Sequence, residues 1–224
     1  MITMYTGTPG SGKSLHVAHV IYDKLRQSKN NNVIANFDIN LSAIGDKRKG
    51  HFFHVDNYHL SPRFFYLFAS RLHKRTELGR MIEGQTLIVI DECQILFNSR
   101  DWNSKDRMEW CTFMTQHRKY GFNIILITQF DRLVDRQIRS LVEYEVVHRN
   151  VSNFKTFGFF LGLLFGGQLF IAITKWYSVK EKISSSYFIL NRKYMRLYDS
   201  YKIFAPRKDG GIKGGPTAAH AKIK

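Results

Sequence analysis

The sequence predicts an α/β fold: a three-layer sandwich whose mostly parallel central sheet has helices on both faces, followed by a small basic and aromatic C-terminal appendage. The first observation is that short apolar runs, typical of buried parallel strands, alternate with helical patterns over the first 150 residues. The second is the composition, with 44% hydrophobic and 23% charged residues among 224, which is ordinary for a folded domain.

The predicted elements follow one another in a regular order. Apolar runs predict strands at 2–5, 33–37, 51–55, 86–90, 123–128 and 144–148. Apolar residues at helical spacing predict a first helix after the glycine-rich loop at 7–14 and a second helix over 62–74. A third helix is expected over 103–120, capped by Asn103 or Ser104 and ended by Gly121.

The character of the chain changes after Asn150. Residues 1–150 are expected to form the main domain, and 151–204 an apolar segment with a basic and aromatic extension of that domain. Residues 205–224, rich in glycine and lysine, are expected to form a flexible basic tail.

The loop after the first strand has the pattern Gly-x4-Gly-Lys-Ser, the phosphate-binding loop (P-loop) of nucleoside triphosphatases. Its glycines let successive backbone N–H groups point at phosphate oxygens, helped by the positive end of the following helix. Lys13 is expected to reach the β- and γ-phosphates of ATP and to act in catalysis, and the Ser14 hydroxyl to bind Mg²⁺. The expected nucleotide-binding residues are Gly7, Thr8, Pro9, Gly10, Ser11, Gly12, Lys13 and Ser14.

An acidic pair, Asp91 and Glu92, directly follows the apolar run at 86–90. An acid at the carboxyl end of a strand adjacent to the P-loop strand can hold the hydration shell of Mg²⁺, and we expect Asp91 to do so. Glu92 is placed to orient or deprotonate the attacking water. Alone the pair would also fit a solvated turn, but together with the P-loop it predicts a P-loop ATPase.

The strand at 123–128 ends in polar residues, of which Gln129 is the candidate to contact both the γ-phosphate and the water, with or without Thr128. In related NTPases this strand often lies between the P-loop strand and the acidic strand; a plain strand-end turn is the alternative. Transition-state charge also favours an arginine, which in a ring could act on a neighbouring subunit's nucleotide. The sequence does not select among Arg118, Arg132, Arg136 and Arg139.

Charge and cysteine content restrict the setting. The chain has 34 Lys and Arg against 18 Asp and Glu, a net charge of +16, which suits nucleic acid, a phospholipid surface or an acidic protein without choosing among them. The two cysteines, Cys93 and Cys111, lack metal-ligand spacing, and the N-terminal residues lack the features of a signal peptide. A reduced, cytoplasmic setting is therefore expected.

Several blocks together resemble a known family: the N-terminal P-loop, Ile-Asp-Glu-Cys-Gln at 90–94, His-Arg-Lys-Tyr-Gly at 117–121, Ile-Leu-Ile-Thr-Gln at 125–129 and Tyr-Asp-Ser-Tyr at 198–201. They resemble the zonular occludens toxin (Zot-like) family, the assembly ATPases of filamentous phages. The resemblance implies a motor at the host bacterial cytoplasmic membrane, with its ATPase domain in the cytoplasm, that drives extrusion of phage single-stranded DNA. It also implies contacts with phage coat and assembly proteins, and we expect a homo-oligomer.

The stretch 156–174 contains no charged residue and is flanked by Lys155 and Lys175. At about 1.5 Å per residue it would nearly cross a hydrocarbon core of about 30 Å, but Gly166, Gly167 and Gln168 divide it. Three alternatives stay open for 157–174: a membrane span, an apolar hairpin or short helix that dips into the membrane, and a buried helix-strand element. In the last, 169–176 is a strand that continues the domain.

The leading functional prediction is an ATP-hydrolysing morphogenesis motor of a filamentous phage or prophage that drives virion assembly and extrusion. One alternative is a DNA-translocating or packaging ATPase that acts directly on nucleic acid, which the net charge of +16 would suit. Another is a nucleotide-gated membrane scaffold with little turnover.

Overall fold

A single mixed sheet organises this chain. The computed structural model describes residues 1–100, 106–151, 168–198 and 222–223. The strands within these residues are β1 (Ile2–Thr6), β2 (Asn32–Ala35), β3 (His51–His54), β4 (Thr86–Ile90), β5 (Phe122–Ile127), β6 (Tyr144–Asn150), β7 (Leu169–Trp176), β8 (Lys182–Ile189) and β9 (Lys222–Ile223). The helices are α1 (Lys13–Gln27), α2 (Pro62–Leu72), α3 (Arg107–Gln116), α4 (Arg136–Ser140) and α5 (Arg192–Met195).

The strand order is β8-β7-β6-β1-β5-β4-β2-β3-β9. The six strands from β6 to β3 in this order are all parallel, whereas β7, β8 and β9 join antiparallel. The strand β5 therefore lies between β1 and β4, as expected for the strand that ends at Gln129. The acidic strand β4 is not adjacent to the P-loop strand, because β5 pairs with both of them.

Helices cover both faces of the sheet, which confirms the predicted three layers. All five residues of β1 are buried, and successive side chains point to opposite faces. Tyr5 lies in the cluster beneath α1, which also includes residues next to α5. Met4 lies in the cluster on the other face, where α2, α3 and α4 contribute Phe65, Phe113 and Ile138.

The boundaries of α2 and α3 differ slightly from the predicted ones. The Ser61 side chain caps α2 by accepting from the N–H of Phe64, and the helix ends at Leu72 rather than at residue 74. The helix α3 begins at Arg107, so the expected capping residues at 103 and 104 lie outside the described residues. A 3-10 turn, His117–Tyr120, follows α3, and Gly121 ends it with a φ of 80°.

The hairpin of β7 and β8 extends the sheet beyond β6. The strand β7 occupies Leu169–Trp176, so this part of the apolar stretch does continue the domain, whereas 157–167 lie outside the described residues. The sequence did not predict β8, because this serine-rich strand is mostly exposed and lacks an apolar run. Within the described ranges, no helix has the length and apolarity needed to cross a bilayer.

Candidate nucleotide-binding site

The P-loop leaves β1 in a conformation that requires glycine at two positions. Gly7 has a φ of 143°, and a Cβ there would lie 2.5 Å from the carbonyl oxygen of His148 on β6. Gly12 has a φ of 94° and immediately precedes α1, and a Cβ there would lie 2.6 Å from the ring of Phe170 on β7. The hairpin and β6 therefore pack directly against the loop, which leaves no space for side chains at these positions.

Lys13, the first residue of α1, turns back over the loop. Its Nζ donates to the carbonyl oxygens of Gly7 at 2.5 Å and Thr8 at 3.1 Å. Burial lowers the pKa of Lys13, while the negative charges of Asp91 and Glu92 act in the opposite direction. The ammonium group is therefore close enough to both carboxylates to interact with them electrostatically.

The end of β5 is joined to the beginning of the P-loop. The N–H of Gly7 donates to the carbonyl oxygen of Gln129 at 3.2 Å, and the N–H of Thr128 donates to the carbonyl oxygen of Tyr5 at 3.0 Å. Gln129 also lines a cavity of about 450 Å³, together with Thr8 and several residues of β6. Gln129 is thus held at the first residue of the loop, on the side expected from the sequence.

Asp91 lies at the carboxyl end of β4 and is only 8% exposed. Its Oδ1 accepts from the N–H of Glu92 at 2.8 Å, and its Oδ2 accepts from the hydroxyl of Tyr198. Burial raises the pKa of Asp91, and these two hydrogen bonds act in the opposite direction. A carboxylate in this position has oxygen atoms available to a cation and a fixed orientation.

The backbone of Asp91 is fixed by Asn36, which follows β2. The Oδ1 of Asn36 accepts from the N–H of Asp91 at 2.8 Å, and its Nδ2 donates to the carbonyl oxygen of Asp91 at 2.8 Å. The same Nδ2 donates to Oδ1 of Asn57 at 2.9 Å. Asn36 is 3% exposed, so these hydrogen bonds are shielded from water.

Glu92 adopts an unusual backbone conformation. Its φ of 46° and ψ of 49° lie in the left-handed region, which costs a residue with a side chain about 1 kcal/mol or more. The side-chain amide of Gln94 donates to Oε2 of Glu92. The strained turn and this hydrogen bond together fix the orientation of the Glu92 carboxylate.

A pair of histidines lies behind the loop. His148 contacts the carbonyl oxygen of Thr6 through Nδ1 at 3.3 Å, so Nδ1 donates and Nε2 accepts from Nδ1 of His16 at 2.8 Å. Burial lowers the pKa of His16 to about 4 and that of His148 to about 3. Both rings are therefore neutral at physiological pH, and they join α1 to β6 beside the P-loop.

The four candidate arginines lie in different places. Arg118 lies just before β5, at the amino ends of the parallel strands, whereas the P-loop lies at their carboxyl ends. It forms an exposed ion pair with Glu83 at 3.1 Å. Arg132 and Arg136 follow the carboxyl end of β5, whereas Arg139 lies near the end of α4, which leads back to the amino end of β6. Arg132 and Arg136 are exposed, whereas Nη1 of Arg139 lies 3.9 Å from Asp131. The geometry therefore separates Arg118 from its own chain's P-loop.

Sequence reasoning missed three residues that hold the acidic pair: Asn36, Gln94 and Tyr198. Asn36 had a usable signal, because it is a polar residue that follows an apolar strand, as Asp91 is. Gln94 and Tyr198 belong to the blocks that carry the family resemblance, but the sequence assigned them no role. Tyr198 is 107 positions from Asp91, and no local pattern connects them.

The residues at the carboxyl ends of β1 and β4 are suited to bind a nucleotide together with Mg²⁺. Ser11 has a buried Oγ with no hydrogen-bond partner among the described residues, in a loop whose backbone turns as a phosphate cradle does. A hydroxyl at Ser14 and a carboxylate at Asp91 are the oxygen ligands that Mg²⁺ prefers. The ammonium of Lys13 supplies the positive charge that a triphosphate requires.

The model of the family described as zonular occludens toxin (Zot) matches residues 1–160 of the 224 in this chain. The chain belongs to the Zot family. The resemblance found in the sequence motifs is thereby confirmed, and this member of the Zot family has the fold and the P-loop of an NTPase.

Individual relatives cover parts of the chain. The Gene 1 protein of Salmonella phage IKe is 39% identical over 89 residues, which are 37% of this chain and 24% of that protein. The Gene 1 protein of Enterobacteria phage fd is 29% identical over 149 residues, which are 64% of this chain and 40% of that protein. This chain therefore matches less than half the length of either relative.

A solved structure supports the fold. The N-terminal domain of zonular occludens toxin from Neisseria meningitidis superposes with a TM-score of 0.56 and 20% sequence identity. The match covers 88% of this chain and 98% of that domain. At this identity the likeness establishes the shared fold.

Proposed function

We propose that this Zot-family chain hydrolyses ATP to drive assembly and extrusion of a filamentous phage at the cytoplasmic membrane of its host. The observation that carries the proposal is that four side chains follow the carboxyl ends of three neighbouring parallel strands. Lys13 follows β1, Gln129 follows β5, and Asp91 and Glu92 follow β4, with β5 between the other two strands. Each side chain can then act on the same triphosphate.

The four residues would divide the work of hydrolysis. Lys13 neutralises charge on the β- and γ-phosphates, and the glycine-rich loop supplies N–H donors to the phosphate oxygens. Glu92, oriented by Gln94, accepts a proton from the attacking water or orients it. Gln129 donates to the γ-phosphate or the water from its fixed position beside Gly7.

Magnesium would be held by Ser14 and Asp91. When bound with the nucleotide, the ion neutralises the charge that develops on the phosphate oxygens. The hydroxyl of Tyr198 and the amide of Asn36 keep the Asp91 side chain and backbone in place for this role.

The phage setting is supported by the relatives, which are Gene 1 proteins of phages. We place the protein on the cytoplasmic side of the host membrane. Of the apolar stretch 157–174, residues 169–174 belong to β7, so the membrane-contacting part would be 157–168. Its partners would be phage coat and assembly proteins and further copies of the chain. The arginine that completes a neighbouring copy's site would be Arg132 or Arg136, since both are exposed at the P-loop edge.

The test combines ATP hydrolysis by purified protein with complementation of phage release. We expect Glu92→Gln to abolish both while retaining nucleotide binding, and Lys13→Ala to abolish binding as well. Glu77→Gln, at an exposed position outside the site, is the matched control and should behave as the wild type. Normal phage release by Glu92→Gln without hydrolysis would overturn the motor and favour the nucleotide-gated scaffold.

A second candidate is an ATPase that translocates DNA directly, which the net charge of +16 favours. It predicts that single-stranded DNA stimulates hydrolysis, and that stimulation falls steeply as salt rises because bound counterions are released. Hydrolysis that is unaffected by single-stranded DNA at low salt would exclude this candidate and leave the assembly motor in place.

A further inference from the structure

The turn between β7 and β8 lies at the amino end of β6, where Trp176 pairs with Tyr144, and its side chains contact residues that lie closer to the P-loop. The N–H of Tyr177 donates to the carbonyl oxygen of Glu143 at 2.9 Å, which anchors the turn beside β6. Within the turn, Lys180 has a φ of 58°, in the left-handed region. Lys180 and Glu92 are the only residues other than glycine with a positive φ in the described part of the chain.

Lys180 connects two acidic residues that belong to different elements. Its Nζ lies 3.2 Å from Oε2 of Glu145 on β6 and 4.0 Å from Oδ2 of Asp131, and it sits 3.7 Å from the centre of the Tyr177 ring. The hydroxyl of Tyr177 donates to the same Oδ2 of Asp131 at 3.1 Å. Burial and the carboxylate of Asp131 raise the pKa of Tyr177 to about 12, so the hydroxyl keeps its proton at physiological pH.

Both acidic residues are close to the nucleotide site, one through a hydrogen bond and the other through the chain. The hydroxyl of Thr6 donates to Oε1 of Glu145 at 3.0 Å, and Thr6 is the last residue before the P-loop. Asp131 lies two residues after Gln129, whose carbonyl oxygen accepts from the N–H of Gly7. The turn therefore contacts the loop that follows Gln129 directly, through Asp131, and is connected to the last residue before the P-loop through Glu145.

The ion pairs of Lys180 add too little stability to explain why this position carries a lysine. Its side chain is 52% exposed, and ion pairs of such residues contribute only about 0–1 kcal/mol. Glycine would adopt the left-handed conformation without the cost of about 1 kcal/mol that a side chain incurs. What lysine adds at this position is the ammonium group between the two carboxylates.

We propose that Lys180 is a positioning residue for hydrolysis: its ammonium holds Glu145 and Asp131 so that Thr6 and Gln129 stay aligned with the P-loop. The inference rests on the proposed ATPase function and adds a residue outside every motif of the family resemblance. Because the ammonium acts through Gln129 and the loop base, it should affect the chemical step more than nucleotide binding.

The experiment measures kcat and KM for ATP in Lys180→Gly, which removes the ammonium and relieves the backbone. We expect kcat to fall about 3- to 10-fold, KM to change less than twofold, and the melting temperature to stay the same or rise. Lys180→Arg should recover most of kcat. Lys182→Ala, an exposed lysine at the start of β8, is the control and should match the wild type.

Asp131→Asn tests the connection independently, and combining it with Lys180→Gly should lower kcat by less than the product of the two single effects. Wild-type kcat in both Lys180→Gly and Asp131→Asn would overturn the inference, as would multiplicative effects. If Lys180→Gly does not fold, Lys180→Gln, which also removes the ammonium, provides the same comparison with Asp131→Asn. A wild-type protein without ATPase activity would instead contradict the proposed function itself.

Discussion

Replacing Asn36 by alanine should destabilise the protein and weaken the Mg²⁺ site together. The substitution removes both hydrogen bonds to the backbone of Asp91, each 2.8 Å long, and a third to Asn57. An unsatisfied buried polar group costs about 1–3 kcal/mol, and two backbone groups of Asp91 lose their partner. Because the surroundings relax and Asp91 retains its side-chain bonds, we expect a loss of about 3 kcal/mol in the free energy of unfolding.

The measurement is denaturant unfolding of Asn36→Ala beside Asn57→Ala, which removes one of the three bonds and leaves Asp91 untouched. We expect Asn57→Ala to lose about 1–2 kcal/mol less than Asn36→Ala. ATPase assays over a Mg²⁺ series should show a raised Mg²⁺ requirement in Asn36→Ala alone. A loss below about 1 kcal/mol with an unchanged Mg²⁺ series would refute the idea that Asn36 fixes the acidic strand.

Three further predictions concern the loop and the core. His148 is neutral in the folded protein, with a pKa of about 3, so the unfolded chain binds a proton there more readily than the folded chain does. The free energy of unfolding should therefore keep its full value above about pH 6.5. Below that pH it should fall by up to about 1.4 kcal/mol per pH unit. Urea unfolding at pH 7 and pH 5 should show a smaller difference in His148→Asn. Gly7→Ala should abolish nucleotide binding, measured by fluorescence titration, whereas Gly10→Ala, where a Cβ meets nothing within 4 Å, should cost only the strain of its φ of 74°. Phe65→Ala, fully buried in the core, should lose about 3–5 kcal/mol, against less than about 1 kcal/mol for Leu67→Ala on the exposed side of α2.

The central strands and the P-loop were predictable because their signals are local. An apolar run such as that of β4 has to be buried on both faces, and the Gly-Lys-Ser pattern leaves little choice of structure. The strand β8 was not predictable, since it lies at the margin of the sheet and exposes most of its residues. A strand of that kind is specified by its neighbour rather than by its own composition.

The positions of the acidic residues could be predicted from the sequence, but the residues that hold their side chains in place could not. Asp91 and Glu92 were expected at the end of a strand and are found there. The contacts of Tyr198 with Asp91 and of Lys180 with Glu145 join residues 107 and 35 positions apart. Such contacts depend on how the hairpin and the residues after α5 pack against the sheet, and no spacing rule in the chain predicts them.

The packing of Phe170 against Gly12 has a consequence for how this protein is cut into fragments. The family match ends at residue 160, whereas the side chains that surround the P-loop continue to Tyr198. A fragment ending at 160 would leave β6 as an open sheet edge, which promotes aggregation. The part of the chain that matches the family model is therefore shorter than the unit that can be expected to fold. Fragments for enzymology should extend at least to Tyr198.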